Sequence, residues 1–326
     1  MFAAACPWGC PMSKQTKIAI IGAGSIGVSF AIVFASSGFQ VRVFDPSPER
    51  RAAVPLELKS KVTYLVDSGL YDEQTEAILA RVSLFDSLSE AITQSDLIQE
   101  CAPERIELKR QIFSGLADVT GPNTVLASSS SAITASKISA GLPNARQILI
   151  AHPGNPPHLL PLIEIVPSGL TSSDIVQSAH EIYTSAGMSP ITVKKEVEGF
   201  IFNRLQGAVL REAYALVRDR VADVEDIDSV VREGLGKRWS FMGPFETADL
   251  NTRGGIRSHA EKLGPAYARM GAERGQNDPW TPDLVSEVER QRRAVLPIEK
   301  WEDRVQWRDE QLLRIKLESD QRKRTQ

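Results

Sequence analysis

Cysteine is scarce. The 326 residues hold three, Cys6, Cys10 and Cys101, too few for a disulfide framework. Cys6 and Cys10 stand in "CPWGC", but no second Cys/His pair completes a zinc site, so no metal is expected. A surplus of charge is also missing: 38 basic residues face 41 acidic ones, for a formal net charge of -3. That balance gives no basic face for nucleic acid and no acidic tail. No uninterrupted apolar run approaches the ~18 residues that indicate a bilayer span, so no membrane partner is expected and the location is read as cytoplasmic. Residues 1–16 lack the basic start and long apolar centre of a secretion signal and are expected to be a disordered leader. The remainder, 42% apolar and 24% charged over the whole chain, reads as an ordinary globular protein long enough for two domains.

What is present starts with "KIAIIGAGSIGVSFAIVFASSG". Lys17 to Ile21 reads as a short buried strand, and Ser25 to Ser37 as a helix stopped by Gly38. Between them Gly22, Gly24 and Gly27 follow the GxGxxG spacing. The first permits a tight turn, the second lets a pyrophosphate reach the backbone, and the third lets helix and strand pack closely. The amides at the helix start, at Ser25, Ile26 and Gly27, then face the phosphates. A second strand, "VRVFD", ends in Asp45, 18 residues after Gly27. A carboxylate there bonds ribose hydroxyls and repels a 2′-phosphate, which favours NAD over NADP. Arg42, Arg50 and Arg51 lie close by and pull the other way.

Strand-like and helix-like stretches then alternate. "RVSLF", "SDLIQEC", "NTVLASS", "QILIAH" and "PITVKK" read as strands, with helices between them. The rhythm predicts an α/β fold with a Rossmann-like, doubly wound parallel sheet over residues 17–196. Ligands of such sheets bind beyond the carboxyl ends of the strands, where "ASSSSA" and "AHPGNPP" fall. From residue 197 the spacing turns helical, predicting a mainly helical second domain over 197–326 for substrate and dimerisation. Asn203 interrupts the apolar stretch "GFIFNRL". It is either a buried structural hydrogen bonder or a group aimed at substrate.

Passing a hydride from a carbinol to NAD+ needs a base for the hydroxyl proton, and histidine suits that task. His152, at the end of the "QILIAH" strand, is the candidate. Its ring must be held in one tautomer, usually by a carboxylate. Glu164, 12 residues on among apolar neighbours in "LLPLIEIV", needs a donor as much as His152 needs an acceptor. His158 lies near the same cleft, while His180 and His259 fall on polar helical stretches.

Taken together, "AHPGNPPHLLPLIEIVP", "EVEGFIFNRLQ", "EGLGKRWSFMGPFETADLN" and "QWRDEQLLR" resemble the 3-hydroxyacyl-CoA dehydrogenase superfamily, over nearly the whole chain from Lys17 to about Lys316. The last two motifs look closest to its branch of lambda-crystallins and L-gulonate 3-dehydrogenases. The resemblance implies His152 as acid/base, Glu164 as its partner, and Ser131 and Asn203 at the substrate oxygen. It places Glu104, Lys109 and Ser129 on the cofactor side and implies a homodimer. It implies oxidation of the 3-hydroxyl of a small hydroxy acid, L-gulonate first. The alternatives are an L-3-hydroxyacyl-CoA, L-carnitine, or a silent NADH-binding protein of crystallin type. Two departures matter. Gly154 replaces a bulky residue of the family loop, which predicts a flexible loop and a wider pocket. The segment after the second strand carries Lys59 and Lys61 but an otherwise neutral to acidic continuation, which weakens CoA binding. A free acid needs a cation, for which Arg238 and then Lys237 are the candidates. Carnitine would need an aromatic cage, for which Trp239, Phe241 and Phe245 are available.

Overall fold

The computed structural model describes residues 16–240, 243–251, 255–275, 297–300 and 313–318, with isolated positions between 283 and 321. The expected leader, with Cys6 and Cys10, lies outside the described residues apart from Thr16.

Eight strands form one sheet: β1 Lys17–Ile21, β2 Gln40–Phe44, β3 Val82–Phe85, β4 Leu97–Glu100, β5 Val125–Ser128, β6 Ile148–Pro153, β7 Leu162–Pro167 and β8 Ser189–Thr192. Their order is β3-β2-β1-β4-β5-β6-β7-β8. Alternate residues of β1 feed opposite cores. Ile18 and Ile20 join Phe30, Phe34 and Tyr183 on one face, while Ala19 and Ile21 join Ile98, Phe113 and Phe200 on the other. Both faces are therefore covered, which is why the strands read as continuous apolar runs. Helix α1, Ser25–Ser36, is apolar nearly all round and buried from Gly27 to Ala35. Helix α2, Pro48–Asp67, starts at Ser47, whose hydroxyl accepts the Arg50 amide.

The sheet is not wholly parallel. β6 and β7 pair antiparallel, and β8 runs parallel to β7, so the last two strands oppose the other six. Residues 154–161 are too few for the roughly dozen-residue crossover that a parallel return requires. The chain therefore turns back, and the turn sets His152 directly opposite Glu164.

The chain divides into two compact units, residues 1–204 with 308–326, and residues 205–307. Leu313 and Leu317 pack in the core of the first, against the sheet face that holds α1. The described residues of the second are helical, with segments Val224–Val230, Gly236–Trp239, Pro244–Asn251 and Gly255–Arg274, and a π-helical turn at Val231–Leu235. Among the described residues no helix is long and apolar enough to cross a membrane.

Candidate active site

The glycine loop joins β1 to α1. Gly22 holds φ +99°, and a Cβ there would meet the Cys101 carbonyl at 2.8 Å. A Cβ on Gly27 would lie 1.9 Å from the Gly22 oxygen, whereas the space beside Gly24 is open. Close packing on one side and an open cradle on the other suit a pyrophosphate at the helix start. There the amides of Ser25, Ile26 and Gly27 lack intrahelical acceptors. The first intrahelical bond runs from the Val28 amide to the Gly24 carbonyl. Asp45 closes the loop from β2, its carboxylate accepting the Ala23 amide at 2.8 Å and the Ser47 amide at 3.0 Å.

Past the opposite strands lies the imidazole. His152 is 5% exposed, and its Nδ1 sits 2.7 Å from Glu164 Oε2. Glu164 Oε1 accepts the amides of Ile201 and Phe202 at 2.8 and 3.0 Å. Burial pushes the Glu164 carboxyl up, but the bonds from His152, Phe202 and Ile201 outweigh it and hold it below the ordinary value. An ionised Glu164 takes Nδ1–H, so the lone pair of a neutral His152 ring is left on Nε2. Phe200 and Phe202 flank that ring at 5.5 and 6.3 Å between centroids. Gly199 and Phe200 both take left-handed conformations, φ +77° and +50°, and this turn swings the two amides onto Glu164. Nothing in the sequence pattern announced Phe200, apart from the preceding glycine.

A third cluster supports the serine loop. Glu104 Oε1 accepts the Ser130 hydroxyl at 2.5 Å and the amides of Ser131, Ala132 and Ile133 at 3.0 to 3.3 Å. These bonds and Lys109 outweigh burial and hold its carboxyl below the ordinary range. Ser131 is exposed, and its carbonyl accepts Asn203 Nδ2 at 3.2 Å, so the structure brings Ser131 and Asn203 together. Lys109 is 1% exposed, bonded to both Glu100 oxygens at 2.9 and 3.0 Å and 3.4 Å from Glu104. Its ammonium is thus enclosed by carboxylates. The sequence reading missed Glu100, although an acid inside the apolar strand "LIQE" was a signal. The Ser129 hydroxyl accepts from Gln99 Nε2 at 2.8 Å and lies 3.1 Å from Cys101 Sγ, in a buried polar chain ending at the Tyr183 hydroxyl. Burial pushes the Cys101 thiol up to about 12, so it is inert near neutral pH.

The expected wider pocket at Gly154 is corrected. A Cβ there would lie 3.1 Å from Leu160 Cβ, so Leu160 fills the space, and the Gly154 amide is fixed to the Leu162 carbonyl at 2.9 Å. His158 is buried, and His180 bonds Thr192 at 2.6 Å. In the second unit Arg238 donates to Asn251 Oδ1 at 3.2 Å, and Lys237 pairs with Glu233 at 2.5 Å. Trp239 and Phe245 are exposed there, while Phe241 lies outside the described residues. Among the described residues no three His, Cys, Asp or Glu side chains converge as metal ligands.

A family model described as 3-hydroxyacyl-CoA dehydrogenase, NAD binding domain, matches residues 17–197, and the corresponding C-terminal domain matches residues 199–300. Lambda-crystallin of Oryctolagus cuniculus is 35% identical over 302 residues, 91% of this chain and 94% of that protein. A 3-hydroxyacyl-CoA dehydrogenase of Gibberella moniliformis is 35% identical over 316 residues, 93% and 95% of the two chains. An L-carnitine dehydrogenase of Oceanobacillus iheyensis is 35% identical over 277 residues, 83% and 86%. Among solved structures, an NAD+-dependent dehydrogenase of 5-formyl-3-hydroxy-2-methylpyridine 4-carboxylic acid superposes with a TM-score of 0.80 at 26% identity, covering 93% of this chain and 97% of that one.

Proposed function

The chain belongs to the 3-hydroxyacyl-CoA dehydrogenase family, NAD-dependent oxidoreductases, and within it we propose that it oxidises the 3-hydroxyl of a small free hydroxy acid, L-gulonate first. The observation that carries the chemistry is the buried His152–Glu164 pair at 2.7 Å. The glycine loop and Asp45 would hold NAD+, which when bound would supply the hydride acceptor. His152 Nε2 takes the hydroxyl proton as the C–H bond breaks, and Glu164 stabilises the imidazolium that forms. In reduction His152 returns that proton. Ser131 and Asn203 hold the reacting oxygen, and Glu104, Lys109 and Ser129 shape the nicotinamide side.

A free acid is favoured over a CoA thioester by the region after β2. There Glu57 lies 2.5 Å from Arg50 and 4.0 Å from Lys61, so one carboxylate offsets part of the positive charge that CoA phosphates would meet. Two of the relatives act, by name, on free acids, a pyridine carboxylic acid and carnitine. Arg238, with Lys237 the lesser candidate, would grip the carboxylate. Carnitine is the second reading, favoured by the exposed Trp239 and Phe245. The chain works in the cytoplasm as a homodimer. Apolar Leu205, Val209 and Leu210 on helix Phe202–Arg218, and Leu263, Tyr267 and Met270 on helix Gly255–Arg274, support the dimer because they stay exposed at helical spacing. Sedimentation as a monomer at micromolar concentration would remove the dimer from this reading.

The test supplies NAD+ with L-gulonate, L-3-hydroxybutyryl-CoA and L-carnitine in turn and follows NADH absorbance. Turnover of gulonate is expected. Turnover of the thioester alone, or of carnitine alone, overturns the substrate assignment and leaves the His152 chemistry in place.

A further inference from the structure

An arginine near the acidic end of the second Rossmann strand is the usual means of accommodating a 2′-phosphate. This chain has three there, and the structure shows how each is occupied. Arg42 donates to the carbonyls of Glu90 and Thr93 at 3.3 and 2.8 Å and lies over the Phe85 ring. Arg51 donates to the carbonyls of Asp45 and Pro46 at 2.7 and 3.2 Å. Arg50 differs from both. Its Nε donates to the Ala23 carbonyl at 2.5 Å, inside the glycine loop, and Ala23 gives its own amide to Asp45. Its guanidinium therefore stands on the phosphate loop, one residue away from the carboxylate that selects NAD. The other arm meets Glu57 Oε2 at 2.5 Å, and each side chain is 29% exposed. Glu57 is seven residues on, two turns along α2, and so shares a face with Arg50.

We propose that Glu57 is a specificity-determining residue for the cofactor. By pairing with Arg50 it offsets the cation that is bonded to the glycine loop and would recruit a 2′-phosphate, and with Asp45 it excludes NADP. A phosphate monoester brings between one and two negative charges (about -1.5 to -2 at pH 7) and seeks a guanidinium with open donors. While Glu57 holds it, the charge of Arg50 is offset and its Nε and Nη2 are engaged. Asp45 and Arg50 share Ala23, whose amide goes to the Asp45 carboxylate and whose carbonyl accepts Arg50 Nε, so removing both acids shifts specificity by more than the separate effects predict. This inference rests on NAD binding and not on the identity of the hydroxy acid, so a wrong substrate leaves it standing.

The experiment titrates NADH and NADPH fluorescence against the wild type, Glu57→Gln, Asp45→Asn, the double variant, and Glu57→Gln with Arg50→Gln. The readout is the ratio of the NADPH to the NADH dissociation constant. Glu57→Gln should move that ratio about three- to tenfold toward NADPH, as expected for a partly exposed pair. Adding Arg50→Gln should cancel the gain. An unchanged ratio in Glu57→Gln overturns the proposal, and so does a gain that survives loss of Arg50. Glu57→Ser guards against a fold defect peculiar to one variant. If both Glu57 variants lose NADH binding along with their thermal midpoint, the pair is a structural brace and the proposal is wrong.

Discussion

Glu100 and Glu164 are both fully buried carboxylates on sheet strands, and their surroundings differ. Glu100 is closed. It meets the Lys109 ammonium, the Ser128 hydroxyl at 2.5 Å and the Ala102 amide at 2.6 Å, and burial still pushes its carboxyl above the ordinary value. Glu164 has backbone amides on one oxygen and, on the other, a ring whose second nitrogen remains for chemistry. The same burial thus surrounds an enclosed ammonium in one place and holds an imidazole by one nitrogen in the other, the arrangement from which the proposed base chemistry follows. What separates them is the partner: the Lys109 ammonium has only donors, all facing carboxylates and a carbonyl, whereas the His152 ring bonds through one nitrogen and keeps a second.

The largest expected effect falls on the closed cluster. Lys109→Met strips Glu100 of its compensating charge and should cost about 3–5 kcal/mol of stability, read by urea denaturation. A loss below about 1 kcal/mol would mean that water or protonation satisfies Glu100, and the contrast would blur. Glu164→Gln keeps the shape but removes the acceptor charge. Its kcat should fall about 10²- to 10⁴-fold while NADH affinity holds, as measured by turnover and fluorescence titration. If kcat stays within threefold, Glu164 is a structural cap of the 201–202 amides alone. Asn203→Ala should cost on the order of tenfold in kcat/KM, because one neutral hydrogen bond is worth ~1 kcal/mol. The smallest effect concerns acid. The folded-state value of Glu164 lies below its unfolded one, so its stability is present above about pH 4.3 and is lost as pH falls through the folded value. The stability gap between wild type and Glu164→Gln should narrow on acidification, and a gap that widens would refute the assigned direction.

Local chemistry was legible in the sequence and long-range closure was not. The glycine loop, Asp45 and the sheet's helical cover follow from spacing within about thirty residues. His152 and Glu164 could be matched because each alone posed an unsatisfied need, and the short connection between them implies the turn that joins them. That same shortness contradicts an all-parallel sheet, a consequence the alternation of elements concealed. The family resemblance put Lys109 on the cofactor side, and no local pattern shows that it also binds Glu100 beneath it. Gly154 suggested space because a missing side chain is visible in sequence and Leu160 moving into its place is not. Leu313 reaches the first core from the far end of the chain, a contact that no local pattern carries.

The central claim is that His152 transfers the proton and is not needed to build the fold. The most direct test is His152→Gln, with turnover and NADH affinity measured on one preparation. The account predicts that kcat falls by about 10²-fold or more while the NADH dissociation constant stays within about twofold. Retained turnover, or loss of NADH binding together with activity, would contradict it.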